Sequence, residues 1–171
     1  EEPALRQLAG EKGALLEHSI AVAISAVELS TSLGMPAPLS TFTAGLLHDI
    51  GKIVLGTFIE VAATPILALA VEQRIPFDAA ERSMLGIDHA EVGAILLAEW
   101  NLPEAIVDVV RWHHEPASFE GRDTIALDLV HAANALAIGC GLGMSVEGLE
   151  YEPDESVVER LKLNPAIMQE A

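Results

Sequence analysis

Apolar positions recur along this chain at spacings of three and four, and no stretch alternates with the period of a strand. Leu16, Ile20, Ala23, Ile24 and Val27 share one helical face, in a helix that ends near Gly34. Met35-Pro36-Ala37-Pro38 then breaks the pattern. Ser40 or Thr41 is placed to cap a short helix that carries His48 and Asp49 and stops at Gly51. Thr64 followed by Pro65 opens a helix to about Arg74. Asp78 starts a short helix ending at Gly86. Asp88, with Glu91 three residues on, has the spacing of a capping box and begins a helix through Trp100. Pro103 begins the next, which runs to His113 and His114 and is stopped by Pro116. Asp123 caps a long helix to about Ile138, which Gly139-Cys140-Gly141 ends. Two shorter acidic helices are expected, after Pro153 and after Pro165. With no competing strand, repeat or long linker, the fold class is all-α, and residues 1–171 are expected to form one domain.

Composition sharpens this picture. Apolar residues make up 51% of the chain but aromatics only 4%, so the core is aliphatic and rich in alanine, which suits closely packed helices. No uninterrupted apolar stretch has the length of a membrane span, and nothing at the start reads as a secretory signal. Cys140 is the single cysteine, which fits a reducing cytoplasm and is expected to be a buried, inert thiol. The formal charge of −17 opposes binding to nucleic-acid phosphates and to anionic membranes. A small phosphorylated ligand stays open, because a bound divalent cation would invert the local field.

The candidate chemistry lies in the histidines. His48-Asp49-Ile50-Gly51-Lys52 places an imidazole beside a carboxylate, and His18, His89, His113 and His114 each fall in or beside another helical stretch. Fe, Mn, Ni and Zn accept imidazole nitrogen and carboxylate oxygen together, so these helices could present ligands to one pocket. More ordinary roles remain open. His48-Asp49 could be a helix terminus with Asp49 accepting from His18. His89 could sit in a solvated first turn. One of His113 and His114, about 100° apart on a helix, could face solvent. Lys52 could simply offset a helix C-terminal dipole. His131 is read as structural.

The longer stretches Ala44–Lys52, Gly86–Gly93, Trp100–Pro103, His113–Pro116 and Val130–Asn134 together resemble the HDOD branch of the HD superfamily of metal-dependent phosphohydrolases, over roughly residues 15–165. The resemblance implies an HD-like bundle of roughly seven to ten helices, here lacking N-terminal helices of the full module. It also implies a bacterial signalling output module, often without demonstrable hydrolysis. By the same resemblance His48 and Asp49 form the core of a metal site, Asp49 bridges two metals, and His18, His89, His113 and His114 complete the set. Lys52 matches a lysine that contacts a substrate phosphate.

Three departures bear on activity. Asn134 stands where catalytic relatives carry a metal-binding aspartate, and its neutral amide costs one negative charge. Asp128, six residues upstream, is about 120° away on the helix and is a poor substitute. Glu115-Pro116-Ala117-Ser118 follows His114 without the Gly-Tyr-Pro run of the branch that cleaves cyclic di-GMP, and Ala14 occupies the place of a glutamate found in some binuclear members. The expectation is therefore a regulatory module that binds a divalent transition metal and a protein partner. A phosphohydrolase acting on a nucleotide or cyclic dinucleotide is the alternative, with Asp49 and Lys52 as its catalytic residues.

Overall fold

The computed structural model describes residues 2–58, 63–142 and 153–164. Among them are nine α-helices, one 3-10 turn and no strand. The helices are α1 (Glu2–Ser32), α2 (Thr41–Leu47), α3 (Ile50–Phe58), α4 (Ala63–Gln73), α5 (Phe77–Leu85), α6 (His89–Glu99), α7 (Glu104–Trp112), α8 (Ile125–Gly139) and α9 (Glu155–Leu161). The all-α expectation holds. The helix after Pro165 lies outside the described residues.

Local sequence explains most boundaries. Gly86 ends α5 in the left-handed region at φ 76°, with its N–H donating to Arg82 O. The Asp88 side chain accepts from Glu91 N and opens α6. Several boundaries move: α4 begins at Ala63 rather than at Pro65, and α5 begins at Phe77, behind Pro76, rather than at Asp78. Thr124, not Asp123, occupies the N-cap position of α8, although Asp123 Oδ1 accepts from Ile125 N at 3.4 Å. The helix expected to carry His48 and Asp49 to Gly51 instead stops at Leu47; His48 and Asp49 form a turn, and Gly51 lies inside α3.

The glycines at that corner show why. A Cβ on Gly45 would come within 2.9 Å of Ala23 Cα, and one on Gly51 within 1.9 Å of His89 O. Glycine thus lets α2 press on α1 and α3 press on α6, with the His48-Asp49 turn held between the two contacts.

The main core joins α1, α2, α6, α7, α8 and α9 through residues such as Val22, Leu29, Leu97, Val110, Leu127, Leu129 and Val157. A smaller cluster of Ile66, Ala70 and Ala80 pairs α4 with α5. The face of α1 differs from expectation. Leu16, Ile20 and Ile24 are exposed, whereas His18, Ser19, Val22, Ala23, Ala26, Leu29 and Ser30 are buried. At Ala23 a small side chain faces inward because α2 approaches so closely there through Gly45. Cys140 is exposed rather than buried, since it follows the last turn of α8. Gly13–Ser32 is long and apolar enough, by length and composition, to cross a membrane, but it supplies part of this core.

Candidate metal centre

Four elements converge on Asp49. His18 comes from α1, His48 and Asp49 from the α2–α3 turn, His89 from the first position of α6, and His113 and His114 from the end of α7. Asp49 Oδ2 lies 3.4 Å from His48 Nε2 and 3.7 Å from His18 Nε2. Its other oxygen, Oδ1, lies 3.3 Å from His89 Nε2 and 3.7 Å from His113 Nε2. His114 Nε2 is 2.8 Å from His89 Nε2. Two overlapping ligand groups result, His18–His48–Asp49 and Asp49–His89–His113–His114, with the ligand atoms of each group within 4.8 Å of one another.

The imidazoles are aimed from behind. His18 Nδ1 is 3.0 Å from Leu142 O, His48 Nδ1 2.7 Å from Gly45 O, and His113 Nδ1 2.7 Å from Val110 O. Each Nδ1–H therefore donates to a backbone carbonyl, leaving Nε2 as the free lone pair that faces Asp49. The Nε2 atoms of His18, His48 and His113 are buried without a hydrogen-bond partner. Unpaired polar atoms in a protein interior are costly and ask for an explanation. A divalent transition metal accepting those lone pairs supplies one, so the donor set fits the group.

Electrostatics agree. Burial lowers the His48 pKa to about 4 despite the opposing pull of Asp49. Burial, then neighbouring imidazoles, hold His113 and His114 well below the ordinary histidine range. Burial alone would raise Asp49, but His48, Lys52 and His89 outweigh it and hold the carboxylate well below its usual value. Neutral imidazoles beside an ionised carboxylate are the forms that bind metal, and His48, His113 and His114 are held in that form. His89 differs: against burial and Lys52, Glu81 and Asp49 raise it to about 10, so it must give up a proton to join them.

Of the more ordinary roles, several are set aside by these positions. His18 is too far from Asp49 for a simple hydrogen bond, His89 is fully buried, and both His113 and His114 face the cluster. Lys52 Nζ is 2.9 Å from Asp49 Oδ2, so it is a member of the site. Asn134 is buried on α8 with its Oδ1 lacking a hydrogen-bond partner. Asp128 is held by Arg160 at 2.7 and 2.8 Å and cannot replace it. His131 is structural, as expected: its Nδ1–H donates to His113 O at 2.7 Å and its Nε2 accepts from Asp154 N at 2.9 Å.

Sequence reasoning missed Glu81. This buried carboxylate on α5 accepts from His89 Nδ1 at 2.5 Å and from His89 N at 2.9 Å. Nothing in its spacing from His89, across a helix boundary, advertises the contact; the signal was an acid on the otherwise inward side of α5.

The HDOD domain family pattern matches residues 5–116. The chain belongs to the HDOD domain family. An HDOD domain protein of unknown function from Geobacter sulfurreducens shares 28% identity and a TM-score of 0.73, over 92% of this chain and 52% of that one. A Marinobacter aquaeolei protein, provisionally named for signal transduction, shares the fold with a TM-score of 0.75 at 24% identity, over 91% of this chain and 34% of that one. Ribonuclease Y of Thermus thermophilus is 32% identical over 151 residues, which is 88% of this chain and 21% of that enzyme. This HDOD chain thus spans about a fifth of the length of that curated relative.

Proposed function

We propose that this chain is a signalling HDOD module whose histidine–aspartate cluster holds a divalent transition metal (Fe, Mn, Ni or Zn) and which acts through a protein partner, with little hydrolysis. The observation that carries this reading is the convergence of buried, unpaired Nε2 atoms on one carboxylate. By the family resemblance, Asn134 stands in the place of an aspartate that would add charge. A metal there would polarise a phosphoryl group and lower the pKa of bound water. Among the described residues the ligand groups hold one carboxylate for that task, and it is already shared with Lys52. The exposed row of Leu16, Ile20 and Ile24 on α1 supports a protein partner, and the lone cysteine supports a cytoplasmic setting.

Phosphodiester hydrolysis is the second reading. It is favoured by Lys52 beside Asp49, where it would meet a substrate phosphate, and by the similarity to Ribonuclease Y. A net charge of −17 opposes RNA as the substrate and leaves a nucleotide or cyclic dinucleotide.

Elemental analysis of protein purified without chelator, paired with a phosphodiester assay in Mn2+, tests both. The expected outcome is bound metal that is reduced in His48→Ala and Asp49→Ala, with no turnover separating wild type from either variant. Turnover abolished by Asp49→Ala would establish the hydrolase instead. No metal, even after soaking with Mn, Fe, Ni and Zn, would sink the metal-binding reading.

A further inference from the structure

The two ligand groups that share Asp49 are not equivalent, and the difference lies behind the imidazoles. His18, His48 and His113 each give Nδ1–H to a neutral backbone carbonyl. His89 alone among them gives it to a carboxylate, and the same Glu81 Oε2 also accepts the His89 backbone N–H. One oxygen therefore grips His89 at two points, fixing both where the ring starts and which way it turns. Its Nε2 is left facing Asp49 and His114. A carboxylate behind an imidazole also makes Nε2 a more basic donor and brings a negative charge near the ion.

The rest of the surroundings reinforce the asymmetry. Glu81 is itself 3% exposed, so water does little to dilute its charge. Asp88, which caps α6 immediately before His89, is held by Arg82, which also reaches Glu115 at 2.6 Å beside His114. The Asp49–His89–His113–His114 side thus has one carboxylate within it, a second behind it and a bracing arginine. The His18–His48 side has Lys52 on the very oxygen it shares. Among the described residues no second carboxylate is grouped with it.

We infer that Glu81 is a positioning residue for His89, and that it makes the Asp49–His89–His113–His114 position the tighter of two cation positions. This rests on the metal-binding reading above and adds to it which position fills first. Glu81 does not touch the ion; it acts through the ring it holds.

The test is a competition titration of the full chain with Mn2+ and, separately, Co2+, whose absorption reports coordination directly. Wild type, Glu81→Gln, Glu81→Asp, His89→Ala and His18→Ala are compared, with circular dichroism checking the fold. The expected result is one tight and one weaker equivalent in wild type. Glu81→Gln should weaken the tight one by about 10- to 100-fold, the range for lost orienting partners of metal-bound histidines. It should leave the weaker one in place, and Glu81→Asp should restore part of the loss. His89→Ala should remove the tight equivalent and His18→Ala only the weaker.

Unchanged tight binding in Glu81→Gln would overturn the inference while leaving metal binding intact. So would loss of the tight equivalent in His18→Ala, or equal weakening of both positions by Glu81→Gln. If wild type binds neither ion, the metal-binding reading falls and the inference falls with it. Glu81→Asp and His89→Ala keep the inference testable should Glu81→Gln fail to fold.

Discussion

At the scale of single residues, the most constrained position is one without a side chain. Gly51 lies so close to α6 that a Cβ would meet His89 O at 1.9 Å and Gly93 N at 2.8 Å. Both are backbone atoms, which cannot rotate away. Gly51→Ala must therefore push α3 from α6, at a cost on the order of 3 kcal/mol, the upper end for overpacking. A urea midpoint equal to wild type would show that the close approach is absent. The run His48–Lys52 announced itself in the sequence as chemistry, but the glycine in it read as a helix stop. Its true role needs a neighbour thirty-eight positions away, which no local pattern contains. Glu81 escaped for the same reason, while His18, His89, His113 and His114 were legible because paired and repeated histidines are rare on apolar helices.

At the scale of elements, the helix ends were more legible than the helix faces. Asp88 and Gly86 carry their cap chemistry in their identities and act as expected. The buried face of α1 was not legible, because an apolar row predicts burial only where the partner surface leaves room for large side chains. Here Gly45 admits Ala23, and the larger Leu16, Ile20 and Ile24 are turned outward. The last described helix buries Val157 and Leu161 in the core and adds polar contacts at its ends. Arg160 on α9 grips buried Asp128 on α8 with two hydrogen bonds, and Asp154 N donates to His131. Arg160→Ala leaves a buried carboxylate unpaired and should cost about 1–3 kcal/mol. Hydrogen exchange should show the loss concentrated in α9. Uniform loss across α1 and α8 would mean that α9 is not a separately fastened element.

At the scale of the whole molecule, the metal-free chain stores opposing proton preferences. His48 and His131 have pKa values lowered by burial, His48 to about 4, so they disfavour the folded state once the unfolded chain takes up protons below 6.5. Their share of stability is intact above 6.5 and lost as pH falls towards their folded values. For His89, burial and Lys52 push down, yet Glu81 and Asp49 prevail and raise it to about 10. That contribution is complete below 6.5 and disappears as pH rises through about 10. Stability of the metal-free protein should therefore be greatest near pH 6.5 and decline on both sides. Urea midpoints that stay level from mildly acidic to alkaline pH would contradict this balance.

Asp49 turns one oxygen to His18 and His48 and the other to His89 and His113. Such a hinge-post has an evolutionary consequence. Changes among the histidines can erode one half of the centre while the other survives, whereas a change at Asp49 strikes both halves at once. A centre built this way can lose ligands by degrees, so long as the post, the turn that bears it and the two glycines that hold the turn in place are kept.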